Sequence, residues 1–446
     1  MKDGLDETHD PSRQSFVEEA NGHRSDFPLQ NLPLGVFSTE DDQVPRLGIA
    51  IGDKIFDLKR ADQLDLLPKA IPSQVFEQQS LNGLFELGGD ALRELRLTVA
   101  DLLDARESGN SVRRRAFDLL SAADRCTLHR PVAVANYTDF FAGIYHAQAA
   151  GQMMMPENPL PPNYKWVPIA YHGRASSVQI GGGFVRRPLG QRAPSRAGGT
   201  PGFGPCERLD FELEMGFYVK GGRPIGTRIP IEEAGREILG FSLLNDWSAR
   251  DIQRWEMFPL GPFLSKSFAT SVSPWIVTAH ALAPFRVPAM ARSAEDPKPL
   301  GYLQDDRDQA AGGIDVELQV FLSTQRMRDD GESASLILTS NARHLYWTPA
   351  QMVAHHTING CNLEPGDLLG TGTISGPLQE EFGSMLELTS AGAKPVKLKN
   401  GQQRGFLEDG DEIIFTGRCN KSGFVPIGFG RCSGIVTVAE SDFANA

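Results

Sequence analysis

The sequence predicts a mainly β protein with helices, of the α+β class, in which a small N-terminal β unit precedes a larger C-terminal one. Three observations carry that expectation. Short strand patterns broken by Asp/Gly turns fill residues 34–58. Two amphipathic patterns follow, with apolar residues at three- and four-residue spacings. From Arg130–Pro131 onward the chain is rich in Gly, Pro and short strand patterns. A length of 446 residues also exceeds what a single core usually supports. The expected units are a tail at 1–27, an N-terminal unit at 28–128 and a C-terminal unit at 129–446.

Taken in order, "MKDGLDETHDPSRQSFVEEANGHRSDF" lacks the apolar core of a signal peptide, and its polar, acidic composition predicts a disordered tail. "LGVFSTEDDQVPRLGIAIGDKIFDL" (34–58) has the pattern of a small barrel. "GDALRELRLTVADLLDARE" and "SVRRRAFDLLSAAD" predict amphipathic helices. "RRPLGQRAPSRAGGTPGFGP" (186–205) predicts a long surface arm. No internal repeat is visible.

Composition narrows the function classes. Net charge is −12, and no basic run exceeds the three arginines at 113–115, which argues against nucleic acid or an anionic membrane as partner. No apolar run reaches 18 residues, so no membrane span is expected. The five cysteines are scattered, odd in number and without a CxxC, which points to a reducing, cytoplasmic setting. No GxSxG nucleophile motif occurs, and "GTGTISG" is followed by no GK[ST] of a phosphate loop.

Four stretches carry chemistry. In "RLDFELEMGFYV" (208–219), alternation puts Phe211, Leu213 and Met215 on one strand face and Asp210, Glu212 and Glu214 on the other. Three neighbouring acids repel, so the polar face is either simply solvated or gathers a hard cation such as Mg²⁺ or Ca²⁺. In "GFSLLNDWSARDIQRWE" (240–256), Asp246 closes an apolar strand and is either a helix N-cap or a ligand. Arg250 and Gln253 share the face of the helix that follows. In "PLGPFLSKSFAT" (259–270), apolar neighbours favour an inward role for Lys266. In "YTDFFAGIYHAQAAGQMMMP" (137–156), a helix over 139–150 would set Asp139 and His146 on one face, about 10.5 Å apart along the axis. That is too far for both to bind one ion. A cation-binding carboxylate and a proton-transferring histidine would follow, against the plainer reading of His146 as a satisfied core histidine.

The ordered series "YTDF…H", "YHGRASS", "LDFELEMGF", "NDWSARDIQRWE", "PLGPFLSKSFAT", "GTISG" and "FGSMLELT" resembles the fumarylacetoacetase family over roughly residues 28 to 440. The resemblance implies an SH3-like N-terminal barrel, a C-terminal β-roll that forms homodimers, and a metal-dependent hydrolase of carbon–carbon bonds in 1,3-diketones. Its best-known setting is tyrosine and phenylalanine catabolism. Position by position it implies Asp139, Glu212, Glu214 and Asp246 as ligands of a divalent cation (Mg²⁺ or Ca²⁺, with Mn²⁺ a further candidate). It implies His146 as general base and Glu387 as the carboxylate that orients it. Arg250, Gln253 and Lys266 match groups that stabilise negative charge on the substrate oxygen. Lys266 and Thr270 match positions around a second, structural magnesium. Tyr171, Gly372 and Thr373 match substrate contacts, as do the positions of Phe141, Met155 and Met257.

Those last three depart from the family, which usually has Tyr, Arg and Tyr there. Replacing one cation and two hydroxyls with apolar groups removes charge-assisted hydrogen bonds of about 1.5–3 kcal/mol each. Either an arginine of the 186–196 loop compensates, or the preferred substrate is a less acidic 1,3-diketone or acylacetate. A decarboxylase or tautomerase of 2-oxo acids and a catalytically silent interaction protein are the other classes weighed.

Overall fold

The computed structural model of the chain describes residues 4–106, 113–154 and 156–440. Strands Leu34–Thr39, Arg46–Ile51, Lys54–Asp57, Leu120–Ala122 and Cys126–His129 form the N-terminal unit. The expected small barrel takes the form of one five-stranded antiparallel sheet, in the spatial order 120–122, 54–57, 46–51, 34–39, 126–129. Its tightest hairpin turns at Gly52, whose φ of 58° suits a two-residue loop. A Cβ there would also lie 2.7 Å from the backbone nitrogen of Ala20. The helix Gly89–Leu103 buries Leu92, Leu95, Val99 and Leu103, the face its spacing predicts.

Two expectations for this half need correcting. Residues 4–27 are not a disordered tail in the part described: Thr8, His9, Ser15, Val17 and Ala20 are buried. Arg13 donates to Asp104 and to Asp101, each at 2.7 Å. The buried Arg96 donates to Thr8 Oγ1 at 3.0 Å and to the carbonyls of Gln30 and Asn31. Polar composition misleads here because charge-assisted hydrogen bonds, not a large apolar face, hold the segment. Second, 113–124 is not a continuous amphipathic helix. Ala116–Leu119 is a single turn, and Leu120–Ala122 pairs with the edge of the 54–57 strand. Sheet pairing overrides a short helical pattern, whose residues 111 and 112 lie outside the described ones.

The C-terminal unit stacks two sheets. The first has eight strands and runs 170–173, 137–140, 368–370, 213–219, 238–246, 270–272, 178–180, with 277–278 also paired to 238–246. The second has five and runs 335–341, 317–323, 412–419, 427–437, 183–186. Phe211, Leu213, Met215 and Phe217 share one buried cluster with Leu318, Val320, Leu322, Ile413 and Phe415 of the second sheet. Phe211 meets Phe415 edge-on at 5.6 Å. Period-two alternation supplies both inner faces.

Two local departures position the site. The 208–219 strand is broken: Leu209–Asp210 pairs with Ser248–Ala249, whereas Leu213–Val219 pairs with Ile238–Asp246. Asp210 and Glu212 therefore leave the ladder that carries Glu214. The segment at 139 is not helical either. Asp139 belongs to strand Tyr137–Phe140, flanked by 368–370 and 170–173, and the helix is Ile144–Met154. Pairing on both edges fixes the strand. The turn between needs Gly143, where a Cβ would lie 2.2 Å from the Thr373 carbonyl oxygen. Among the described residues no helix is long and apolar enough to cross a membrane.

Candidate active site

Asp139 at the end of its strand, Glu214 near the start of the antiparallel 213–219 strand, and Asp246 at the end of 238–246 meet at one end of the central strands of the eight-stranded sheet. One carboxylate oxygen from each lies within 4.8 Å of the others. Asp139 Oδ1, Glu214 Oε1 and Asp246 Oδ1 are buried and have no hydrogen-bond partner. Burial first, then repulsion from the neighbouring acids, pushes Asp139 and Glu214 well above the usual carboxylate range. Asp246 is raised by burial against the pull of Lys266. Room for the cluster comes from Gly370, where a Cβ would fall 2.6 Å from Asp139 Oδ1 and 3.1 Å from Glu214 Oε2. Buried, converging, unpaired carboxylate oxygens fit a hard divalent cation, which takes such donors without needing His or Cys.

Asp246 is no helix cap. The helix Arg250–Glu256 begins after Ala249 without a side-chain cap, and Asp246 Oδ2 instead accepts from Lys266 Nζ at 2.6 Å and from the Tyr171 hydroxyl at 2.8 Å. The same hydroxyl oxygen lies 3.1 Å from Asp139 Oδ2, so its single proton is shared between the two acids.

Glu212 lies beside the three acids, outside their cluster but sharing Lys266 with Asp246. Its Oε1 accepts from Arg250 Nη1 at 2.7 Å and its Oε2 from Lys266 Nζ at 2.5 Å. Burial would raise this carboxyl, but the charges of Lys266 and Arg250 outweigh it and hold Glu212 well below its ordinary value. His146 Nε2 lies 3.7 Å from the same Oε1.

On the other ring edge, His146 Nδ1 lies 2.7 Å from Glu387 Oε2. Glu387 is buried, and Ser375 and Ser384 donate to its Oε1 and Oε2 at 2.8 and 2.7 Å. Burial raises this carboxyl, yet His146 and the two serines lower it further, so it stays ionised. An ionised acceptor at Nδ1 fixes the proton there and leaves the Nε2 lone pair facing Glu212 and Arg250. Arg250 Nη2 is buried without a partner, a donor held in reserve. Its Nη1 also reaches Gln253 Oε1 at 3.2 Å.

The chain that carries this His–Glu pair and acid cluster is similar to known proteins along most of its length. The model for the fumarylacetoacetate (FAA) hydrolase C-terminal domain matches residues 136–436, and that for the fumarylacetoacetase N-terminal domain matches residues 30–131. Fumarylacetoacetase of Homo sapiens is 47% identical over 431 residues, covering 95% of this chain and 99% of that protein. The chain belongs to the fumarylacetoacetase family. The Arabidopsis thaliana fumarylacetoacetase is 44% identical, over 94% of this chain and 97% of its own. Among solved structures, fumarylacetoacetate hydrolase from psychrophilic Exiguobacterium antarcticum is similar at 17% identity and a TM-score of 0.49, over 91% of this chain and 99% of that one.

The other positions singled out in the sequence fall as follows. Phe141 packs edge-on against His146 at 5.6 Å and against Tyr164 at 5.8 Å. Met257 follows the helix that carries Arg250 and Gln253. Met155 lies outside the described residues. Gly372 has a φ of 76° and gives its N–H to Glu214 Oε2 at 3.0 Å. Thr373 Oγ1 is buried without a partner. Thr270 sits opposite Asp246 on the adjoining strand. Lys266, placed with it around a second cation, is committed to Glu212 and Asp246, and burial is outweighed by those acids in raising its affinity for the proton. A protonated ammonium offers no lone pair to a metal. Sequence reasoning missed Ser375, Ser384 and Gly370. Only Ser384 had a signal, the S-x-x-E spacing of 384–387 that marks a helix start.

Proposed function

We propose that this chain hydrolyses the carbon–carbon bond of fumarylacetoacetate, giving fumarate and acetoacetate, a step of tyrosine catabolism. The observation that carries the reading is the buried His146–Glu387 pair, 2.7 Å apart, opening onto Glu212 and Arg250. A chain 47% identical to human fumarylacetoacetase along almost its full length supports it. A water hydrogen-bonded to His146 Nε2 loses its proton to the imidazole as its oxygen adds to the carbonyl carbon. The free N–H of Arg250 Nη2, with Gln253 and the Lys266 ammonium, stabilises the negative charge that develops on the carbonyl oxygen. When the carbon–carbon bond breaks, the acyl carbon keeps the water oxygen and the departing carbon takes up the proton, so one water is consumed. A divalent cation, Mg²⁺ or Ca²⁺, held by Asp139, Glu214 and Asp246, with Glu212 as the fourth expected ligand, would supply Lewis acidity toward the diketone oxygens.

A second reading concerns the substrate's charge. The apolar Phe141 ring packs nearly at right angles to the His146 imidazole, with ring centroids 5.6 Å apart. The 186–196 segment is strand at Arg186 and over Leu189–Arg192, and three of its four arginines have acidic neighbours, Arg196 being the fourth: Arg187 pairs with Asp409 at 2.7 Å, Arg192 with Glu207, and Arg186 lies 3.9 Å from Glu440. Both observations favour a less acidic acylacetate or 1,3-diketone. The two readings separate in one assay: turnover of fumarylacetoacetate against neutral acylated 1,3-diketones at fixed metal, with His146→Ala as control. Efficient turnover of the dicarboxylate, lost by about 10²–10⁴ in the variant, is expected from the first reading. Preference for the neutral diketones selects the second, and undiminished activity of His146→Ala overturns both. A cytoplasmic homodimer completes the proposal. The scattered cysteines support the compartment, and the exposed side chains of Phe258, Leu260, Phe263 and Leu264, beside the helix of Arg250, support the pairing.

A further inference from the structure

Asp210 was one acid too many for the ligand set, and the structure gives it no place in the cation cluster. It is wholly buried, and both its oxygens are used. Oδ1 accepts from the backbone N–H of Met385 at 2.7 Å and of Phe211 at 2.8 Å. Oδ2 accepts from Arg250 Nε at 2.8 Å and from the N–H of Leu386 at 3.0 Å. Met385 and Leu386 immediately precede Glu387, the carboxylate on His146, and Ser384 before them donates to that same carboxylate. One side chain therefore touches the group that would stabilise the oxyanion and the backbone that carries the partner of the base. These elements lie far apart in sequence, and the break after Asp210 in the 208–219 strand frees its carboxylate to reach between them.

We infer that Asp210 is a positioning residue that locks Arg250 to the Glu387 segment and so sets the spacing between water activation at His146 and charge stabilisation at Arg250. This rests on the hydrolase reading above. The locking acts through both arms. The charge-assisted bond from Nε orients the guanidinium plane, leaving Nη1 for Glu212 and Nη2 free. The two backbone N–H bonds hold the short Met385–Leu388 turn in register with His146. An outer carboxylate of this kind typically governs about tenfold to hundredfold in activity.

Asp210→Asn in the full chain tests it. The substitution keeps the volume but removes the charge and puts an NH₂ where one row of donors now points. Expected are a fall in kcat of about tenfold to hundredfold, a KM within about threefold of the wild type, and unchanged affinity for the divalent cation in calorimetric titration. The downfield proton resonance of His146 Nδ1–H, bonded to Glu387, should also move. Folded Asp210→Asn with wild-type kcat and an unmoved resonance overturns the inference, because a residue that only supports the fold would lower the thermal midpoint and leave both in place. Should that variant not fold, Arg250→Lys takes its place. It keeps the charge near Glu212 but withdraws Nε from Asp210; a displaced His146 resonance supports the link and an unmoved one overturns it. The resonance is read without substrate. Failure of the wild type to turn over fumarylacetoacetate therefore sinks the substrate reading, whereas an unmoved resonance sinks this one.

Discussion

Two groups of buried carboxylates lie side by side in this protein and are built in opposite ways. In the first, Asp139, Glu214 and Asp246 each leave one oxygen without a donor. In the second, Glu387 and Asp210 use both of theirs, on serines, an imidazole, a guanidinium and backbone amides. Burying an unpaired carboxylate oxygen costs several times what a satisfied one does, so the first arrangement persists only where something cationic is to arrive. The second needs nothing further and serves as fixed framework. Glu212 stands between them, neutralised by Arg250 and Lys266, and couples the open side to the closed one. Residue type is the same throughout; the count of donors divides acids left open from acids already satisfied.

The largest expected effect comes from disturbing the closed side alone. Glu387→Gln is nearly isosteric and should leave divalent-cation affinity intact. Its amide cannot serve as the ionised acceptor for Nδ1–H, so the imidazole proton shifts to Nε2, where the lone pair is needed. A tautomer error of this sort costs about 10⁴ in kcat in hydrolytic triads. Steady-state kinetics and cation titration on one preparation check the claim. A variant that loses metal together with activity would show that the two groups are not independent.

The open side has its own minimal lesion. Gly370→Ala adds one methyl group 2.6 Å from Asp139 Oδ1, in a strand without the positive φ that would strain it. The carboxylate must move, and cation affinity should fall by about tenfold to hundredfold, equivalent to roughly 1.4–2.7 kcal/mol. The His146–Glu387 bond should remain, visible as an unchanged Nδ1–H resonance. Calorimetric titration with Mg²⁺, Ca²⁺ and Mn²⁺ gives the number, and an unaltered affinity for all three would reject Gly370 as the residue that makes room.

Legibility in the sequence followed the same division. Asp139 and Asp246 stand out singly, as acids among apolar neighbours or at a strand end, and Glu214 within the trio of Asp210, Glu212 and Glu214, while strand alternation placed Phe211, Leu213 and Met215 correctly in the core. What binds the closed side was hidden. His146 and Glu387 are 241 residues apart, and no local spacing joins them; only the family resemblance did. Asp210 reads backbone amides, which leave no mark on the side-chain sequence. The break after Asp210 was invisible because alternation continues through it unchanged. The helix expected at 139–150 failed for a related reason: four residues of strand are fixed by partners at 368–370 and 170–173 that a local window never sees. The segment 4–27 was misjudged because its composition is polar, while the arginines that hold it, Arg13 and Arg96, are locally unremarkable.

The smallest expected effect is on stability as a function of pH, and it belongs to the open side. Asp139 and Glu214 are raised by burial and mutual repulsion. In the cation-free protein they therefore keep protons that the unfolded chain releases near its ordinary carboxylate values of about 4. Wherever the folded state binds more protons than the unfolded one, stability falls as pH rises. Cation-free protein should thus lose stability from this source as pH climbs above about 4, by about 1–3 °C in thermal midpoint across the acid to neutral range. Excess cation should reverse the trend, since binding displaces those protons and grows tighter with pH. The closed side contributes with the opposite sign: Glu387 is lowered, so its share is present above the unfolded value and is lost only on acidification. Thermal melts with chelator and with saturating cation, repeated in Gly370→Ala, read the two contributions separately. Parallel pH profiles with and without cation would mean that the open acids are not where the ion binds.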